Sequence, residues 1–169
     1  MNKEILNRKK LLDLKFAKIG KNIKISKNVT IIGSENISLE SNIRIDDYTI
    51  ISCQFGKLSI GSNVHIGGQS YIGCSGGVKI GNNINISQGV KIYSKVNNYT
   101  NKENKNPIHY GKISIGDDVI IGSNSVIVGK CKLGKGATVG ALSLVNKNLE
   151  DWGVFAGIPV KKISNRKKI

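Results

Sequence analysis

IGSNVH IGGQSY IGCSGGVK IGNNIN ISQGVK, residues 60–91, is a stretch written in sixes. Position one is aliphatic, position two is Gly or Ser, and position five is small or apolar. The frame resumes at Ile115 as IGDDVI, IGSNSV, IVGKCK, LGKGAT and VGALSL. Looser frames, IGKNIK, ISKNVT, LESNIR and IDDYTI, begin at Ile19, Ile25, Leu39 and Ile45. A fixed short period outranks helix or strand propensity, because it marks one structural unit stacked on itself. Strand alternation sends the first residue of each frame inward, and the Gly-containing corner carries the chain to the next side. Three frames close a coil, so residues eighteen apart should stack into aliphatic ladders.

The expected fold is all-β: a left-handed parallel β-helix with a short N-terminal helical cap and a C-terminal tail. A chain of 169 residues suits one domain. Residues 1–18 read as the cap, with Ile5, Leu6, Leu11, Leu12 and Leu14 among charges. Such a cap covers the sheet edge that the first coil leaves open. The β-helix runs over 19–150, and 151–169 form a C-terminal cap and basic tail. From Ile92 to Ile115 the frame is broken, and an arm, SKVNNYTNKENKNPIHYGK, leaves the prism at residues 94–112.

The net charge of +15 raises the possibility of a polyanionic partner. The basic clusters sit mainly at the two ends, however, and no aromatic residues interleave with them as a nucleic-acid surface requires. No apolar run approaches a signal-peptide core or a membrane span. Cys53, Cys74 and Cys131 have no metal-like spacing and cannot all pair, which fits a reducing cytoplasm.

The frames from Ile19 to Ile163 resemble the hexapeptide-repeat acyltransferases. VGALSLVNKNLEDWGVFAGIPVKKI, residues 139–163, is similar to the closing coil of sugar O- and N-acetyltransferases. The family's AG-x-P-A-K signature stands here as Ala156, Gly157, Ile158, Pro159, Val160 and Lys161, with Val in place of the usual Ala. The resemblance implies acetyl-CoA as acyl donor, no metal, a sugar or nucleotide-linked amino sugar as acceptor, and a homotrimer with sites between subunits. The product would enter surface polysaccharide biosynthesis. Galactoside and maltose acetyltransferases carry an arm at the corresponding point that walls a neighbour's acceptor site. A γ-type carbonic anhydrase needs three His ligands for zinc, and this chain has two His. A scaffold trimer that has lost the chemistry is the non-enzymatic alternative.

Acyl transfer needs a base for the nucleophile's proton and donors for the oxyanion. Only His65 and His109 suit the first role at neutral pH. The familiar arm His position falls nearest Asn97, which cannot act as a base. A branch that acylates amino-deoxy nucleotide sugars and O-antigen sugars is more similar, in its VHI, CSGG, IYS…Y and VGALSLV segments. That likeness assigns the base to His65, at a corner of the prism, with His109 the other candidate. Gly67, Asn85, Asn97, Asn98, Tyr99 and His109 are the implied acceptor residues, those of the arm facing the His65 of a neighbour. Neither Asn97 nor Asn98 supplies the carboxylate that would orient a histidine. For CoA the resemblance implies Gly122, Ser123, Gly140, Ala141, Asn146, Lys147 and Lys161, with a backbone N–H near Gly122 or Gly140 for the oxyanion.

Overall fold

The computed structural model describes residues 4–97 and 108–167. Their backbone winds into a parallel β-solenoid whose strands gather in three sheets of six, eight and six strands, the first, second and third faces of a prism. Leu58–Ile60, Val64–Ile66 and Tyr71–Gly73 are the three sides of one coil. On the first two faces the outer residues of each triplet are buried and the middle one points out. On the third face the phase inverts, with Ile72 buried between the outward Tyr71 and Gly73.

The inward residues stack in ladders, as the repeat predicts. Ile66, Ile86, Ile121 and Val139 follow one another on the second face, and Ile51, Ile72, Ile92, Ile127 and Val145 on the third. Each of these is at most 1% exposed, so the core is a continuous aliphatic column. Buried hydroxyls close the corners: Ser70 donates to the Gly67 carbonyl at 2.7 Å and Ser125 to that of Gly140 at 2.8 Å.

The expected eighteen-residue stacking holds only beyond the arm, where Ile115 pairs with Leu133. Before it the stacked partners are twenty or twenty-one residues apart, as in Ile60 with Ile80 and Leu39 with Ile60. The excess lies at the corner between the third and first faces. Segments such as Ser34–Asn36, a short 3-10 turn, and the CSGG at Cys74 fill that corner with more residues than a bare turn needs.

Both ends are covered. Ile5 bridges to Ser26, the Leu6 amide donates to the Ile25 carbonyl at 2.8 Å, and the helix Arg8–Asp13, capped by Asn7, buries Leu11. The parallel stack continues past residue 150, because Gly153–Ala156 adds to Thr138–Val139 with Phe155 turned into the core. Lys161–Asn165 then folds back antiparallel along that strand. No helix among the described residues is long and apolar enough to cross a membrane.

Candidate active site

His65 is the middle residue of Val64–Ile66 on the second face, not at a corner as its place in the frame implied. The corner begins after it, at Gly67, and turns through Gln69 with φ near 59°. Its neighbours Val64 and Ile66 are locked in the core, so the imidazole stands outward from a rigid strand. Arg44 lies beside it on one coil and Asn85 on the other. A carboxylate that neither Asn97 nor Asn98 supplies stands beside His65 on its own face. Asp46 Oδ2 is 2.9 Å from His65 Nε2, and the same carboxylate is gripped by Arg44 at 2.8 Å and 3.2 Å. Asp46 is only 13% exposed in its side chain, which keeps this contact from being dissolved in solvent. With Nε2–H donating to Asp46, Nδ1 is the nitrogen left without the proton; it lies 3.2 Å from Asn85 Oδ1, and turning that side-chain amide over would bring its NH2 to donate to Nδ1.

Gly67, Ser87, Gly122 and Gly140 stack along the edge between the second and third faces. Each donates its N–H to the next coil: Gly67 to Ile86, Ser87 to Ile121, Gly122 to Val139 and Gly140 to Phe155. The amides of Gly122 and Gly140 are therefore committed to the stack. Those of Ser123 and Ala141, one residue on, have no partner among the described residues. Close stacking also explains two of the glycines: a Cβ at Gly67 would lie 2.5 Å from the Gln88 nitrogen, and one at Gly122 2.4 Å from that of Ala141. Lower on this edge, Asp46, Asp47, Tyr48, Gly68, Gln69 and Gln88 line a shallow cleft of about 350 Å³. The structure thus brings Gly67 into line with Gly122, Ser123, Gly140 and Ala141.

The other implied residues lie elsewhere. The arm leaves from the edge between the third and first faces, as the hairpin Lys95–Asn97 with Ile108–Tyr110, in which His109 is exposed and pairs with Val96. Asn97 is at its described end; Asn98 and Tyr99 fall outside the described residues. Asn146 and Lys147 stand on that same edge, above Lys130, Lys112 and Lys57, and all five are exposed. No ion pair joins these four lysines to a carboxylate among the described residues. Lys161 lies on the closing antiparallel strand. One edge is thus acidic low down, and the other carries exposed lysines above Glu35. The third face between them is largely apolar outward, with Thr30, Ser52 and Lys91 among its outward residues: Ile32, Ile50 and Tyr93 are 44%, 40% and 38% exposed, and the Tyr71 and Tyr93 rings sit 5.2 Å apart.

Sequence reasoning missed Asp46. Asp46 was hidden by the coil length, since only a twenty-one-residue coil lays Arg44 beside His65 and brings Asp46 within reach. Among the described residues no group of three or more His, Cys, Asp or Glu side chains could hold a metal ion.

Residues 112–147 match the family described as bacterial transferase hexapeptide (six repeats), and residues 57–94 match the hexapeptide repeat of succinyl-transferase. The chain is 38% identical over 171 residues to dTDP-4-amino-4,6-dideoxy-D-glucose acyltransferase of Escherichia coli, covering 96% of this chain and 89% of that one. AntD, an N-acyltransferase from Bacillus cereus solved in complex with dTDP and 3-hydroxybutyryl-CoA, superposes with a TM-score of 0.91 at 33% identity, covering 99% of this chain and 92% of that chain. A maltose O-acetyltransferase from Clostridium difficile 630 superposes at 0.68 with 22% identity, covering 96% and 78%, a likeness of fold.

Proposed function

Since the chain belongs to the hexapeptide-repeat acyltransferases, we propose that it moves an acetyl group from acetyl-CoA to the amino group of a dTDP-linked amino sugar. The observation that carries this reading is the 38% identity to the Escherichia coli acyltransferase along 96% of the chain. Together with the likeness to AntD, an N-acyltransferase, it supports N-acylation of a nucleotide-linked sugar over O-acetylation. The product is a nucleotide-activated N-acyl sugar, a donor suited to surface polysaccharide assembly in the cytoplasm.

The reaction forms a C–N bond at the thioester carbonyl carbon and breaks its C–S bond. His65 Nδ1 takes the proton that the amine loses, Nε2 stays hydrogen-bonded to Asp46, and the CoA sulfur leaves with the electron pair. A neutral His held by a carboxylate is the form such a step needs. The free amides of Ser123 and Ala141 suit the oxyanion and the carbonyls of the pantetheine arm. The exposed ammonium groups of Lys147 and Lys161 suit its phosphates as compact cations.

The site requires more than one copy. Gly122, Ser123, Gly140 and Ala141 lie on one edge, Asn146, Lys147 and the arm on another, with the apolar third face between. Side-by-side packing that buries this face sets the acidic edge of one protomer against the basic edge of the next. Such a contact is heterologous and closes as a ring, here a homotrimer. The arm residues Asn97, Asn98, Tyr99 and His109 then stand over the neighbour's cleft, near Gly67 and Asn85.

The experiment is release of CoA thiol on mixing the protein with acetyl-CoA and dTDP-4-amino-4,6-dideoxyglucose. The unaltered protein turns over, and His65→Asn is slower by roughly 100-fold or more, the scale of a lost general base. Equal turnover in His65→Asn removes the base from His65; no turnover with the unaltered protein removes the acceptor.

A further inference from the structure

We propose that the N-terminal end of the prism is a docking surface for an anionic lipid bilayer, with Leu12 and Ile5 entering the interface and Arg8 and the surrounding lysines on the lipid phosphates. Acyl transfer makes no use of this end, and docking does not depend on that chemistry.

Charge singles out this part of the chain. Residues 4–27 carry eight Lys or Arg side chains against Glu4 and Asp13, in a chain whose net charge is +15. Lys27 pairs with Glu4, and Lys18 with Glu40 at 2.6 Å. Arg8, Lys9, Lys10, Lys15, Lys21 and Lys24 are exposed, and no carboxylate among the described residues forms an ion pair with any of them. Six like charges gathered at one end repel one another, and a negatively charged partner relieves that repulsion. The other end is more fully neutralised: Lys162 pairs with Glu150, while Arg166 lies over the Trp152 ring at 5.8 Å and donates to the Asp118 carbonyl at 2.7 Å.

Apolar groups decide among the negative partners. The helix Arg8–Asp13 buries Leu11 but leaves Leu12 57% exposed, and Ile5 just before it is 47% exposed. Between this helix and the first coil runs an apolar groove of about 480 Å³, lined by Leu6, Leu12, Ile19 and Ile23 together with Arg8 and Lys21. A nucleic acid would leave these groups in water, and no aromatic ring of residues 4–27 is exposed for a base to stack on. A second copy of this end is repelled, since it brings the same six cations. An anionic bilayer takes both features: its phosphates meet the cations, and its hydrocarbon takes Leu12 and Ile5.

The cap is tied down at both of its ends. The Lys27 amide donates to the Glu4 carbonyl at 3.0 Å, and the Ser34 hydroxyl donates to the Leu14 carbonyl. Its charges and apolar side chains are therefore presented as a fixed set. Docking also leaves the catalytic side chain clear. Lys24, Arg44 and His65 succeed one another up the second face, which puts His65 roughly 10 Å further along the axis at the ordinary spacing of paired strands. In the trimer proposed above the prisms are parallel, so three caps face one way and bind one surface together. Each cation brought to such a surface strengthens binding roughly five-fold.

The test is flotation of the full-length protein with vesicles of phosphatidylglycerol and phosphatidylcholine in equal parts, and with vesicles of phosphatidylcholine alone. The unaltered protein floats with the first and not with the second, and salt at about 1 M releases it by screening the cations. Lys9→Glu with Lys10→Glu weakens binding about 100-fold or more, two attractions having become repulsions. Leu12→Ser weakens it about ten-fold by removing apolar area from the contact. Leu12→Trp keeps it, and its emission, over that of the unaltered protein, moves to the blue on mixing with the anionic vesicles. Thermal melting and thiol release in solution stay unchanged in these variants, since the side chains are exposed and lie outside the catalytic site. Failure of the unaltered protein to float with the anionic vesicles overturns the proposal, as does undiminished binding by Lys9→Glu with Lys10→Glu. Undiminished binding by Leu12→Ser, with no shift in Leu12→Trp, reduces the contact to charge alone and overturns the bilayer as partner. Acyl transfer is read separately by thiol release, so its failure is distinguishable from that of docking.

Discussion

The first and third faces of the prism bury the same aliphatic residues and show solvent very different ones. A first-face strand turns both ends inward and offers one outward residue, which runs Ser38, Ser59, Lys79, Ser114 and Lys132 up the coils. A third-face strand turns only its centre inward and offers two, among them Ile50, Tyr71, Tyr93, Val126 and Val128. The polar column is an ordinary solvated surface; the double one, apolar except at Thr30, Ser52 and Lys91, is a patch of the kind that marks an interaction site. Inward residues thus specify the prism, and the phase and chemistry of the outward ones specify what the prism meets.

The comparison breaks most visibly if lysines are moved between faces. Ile50→Lys with Tyr93→Lys should dissociate the assembly and lower turnover about 100-fold or more, because burying a charge unpaired at a subunit contact costs far more than an apolar contact returns. Ser59→Lys with Ser114→Lys on the first face should leave native mass and turnover unchanged. Native mass spectrometry beside the thiol-release assay reads both.

A smaller effect sharpens the second face. Asp46→Asn should lower kcat by about ten-fold, without changing KM for acetyl-CoA, by freeing the imidazole to rotate and mis-set its tautomer. Asp46→Glu should recover part of the loss, and the pH profile of kcat should shift in Asp46→Asn. An unshifted profile would make Asp46 a structural residue only.

The smallest effect belongs to the inward column of the first face. Burial pushes the Cys131 thiol from its ordinary 9.0 up to about 11. The unfolded chain loses this proton first, so the contribution of Cys131 is complete below about pH 9 and is lost as pH rises through 9 toward 11. Alkylation at pH 9 should therefore label Cys131 slowly in the folded protein and promptly after unfolding.

The ladders were legible because an inward aliphatic every six residues leaves a periodic trace in one dimension. Coil length was not. Corner residues such as those at 34–36 and 75–77 obey no period, and they alone decide whether Ile60 meets residue 78 or Ile80. That uncertainty passed directly into the site. His65 and the stack of Gly67, Gly122 and Gly140 could be named from their own frames, whereas Asp46 depends on register between coils. The free amides of Ser123 and Ala141 were equally hidden, since the N–H donated to the next coil is that of the preceding glycine. The residues that the resemblance implies for CoA fall on two edges of one chain, an arrangement that the proposed sharing of a site between copies accounts for.

Shared sites can be tested by complementation. His65→Asn chains have an intact lysine edge, and chains with Lys112→Glu and Lys130→Glu have an intact His65, so neither homotrimer should turn over well. Co-expressed in equal amounts they should form mixed trimers in which about a quarter of the contacts pair a good His65 edge with a good lysine edge. Thiol release in the mixture should then rise to about that fraction of the unaltered rate. Mixed trimers seen by native mass, with no more turnover than either parent, would contradict an active site built between copies.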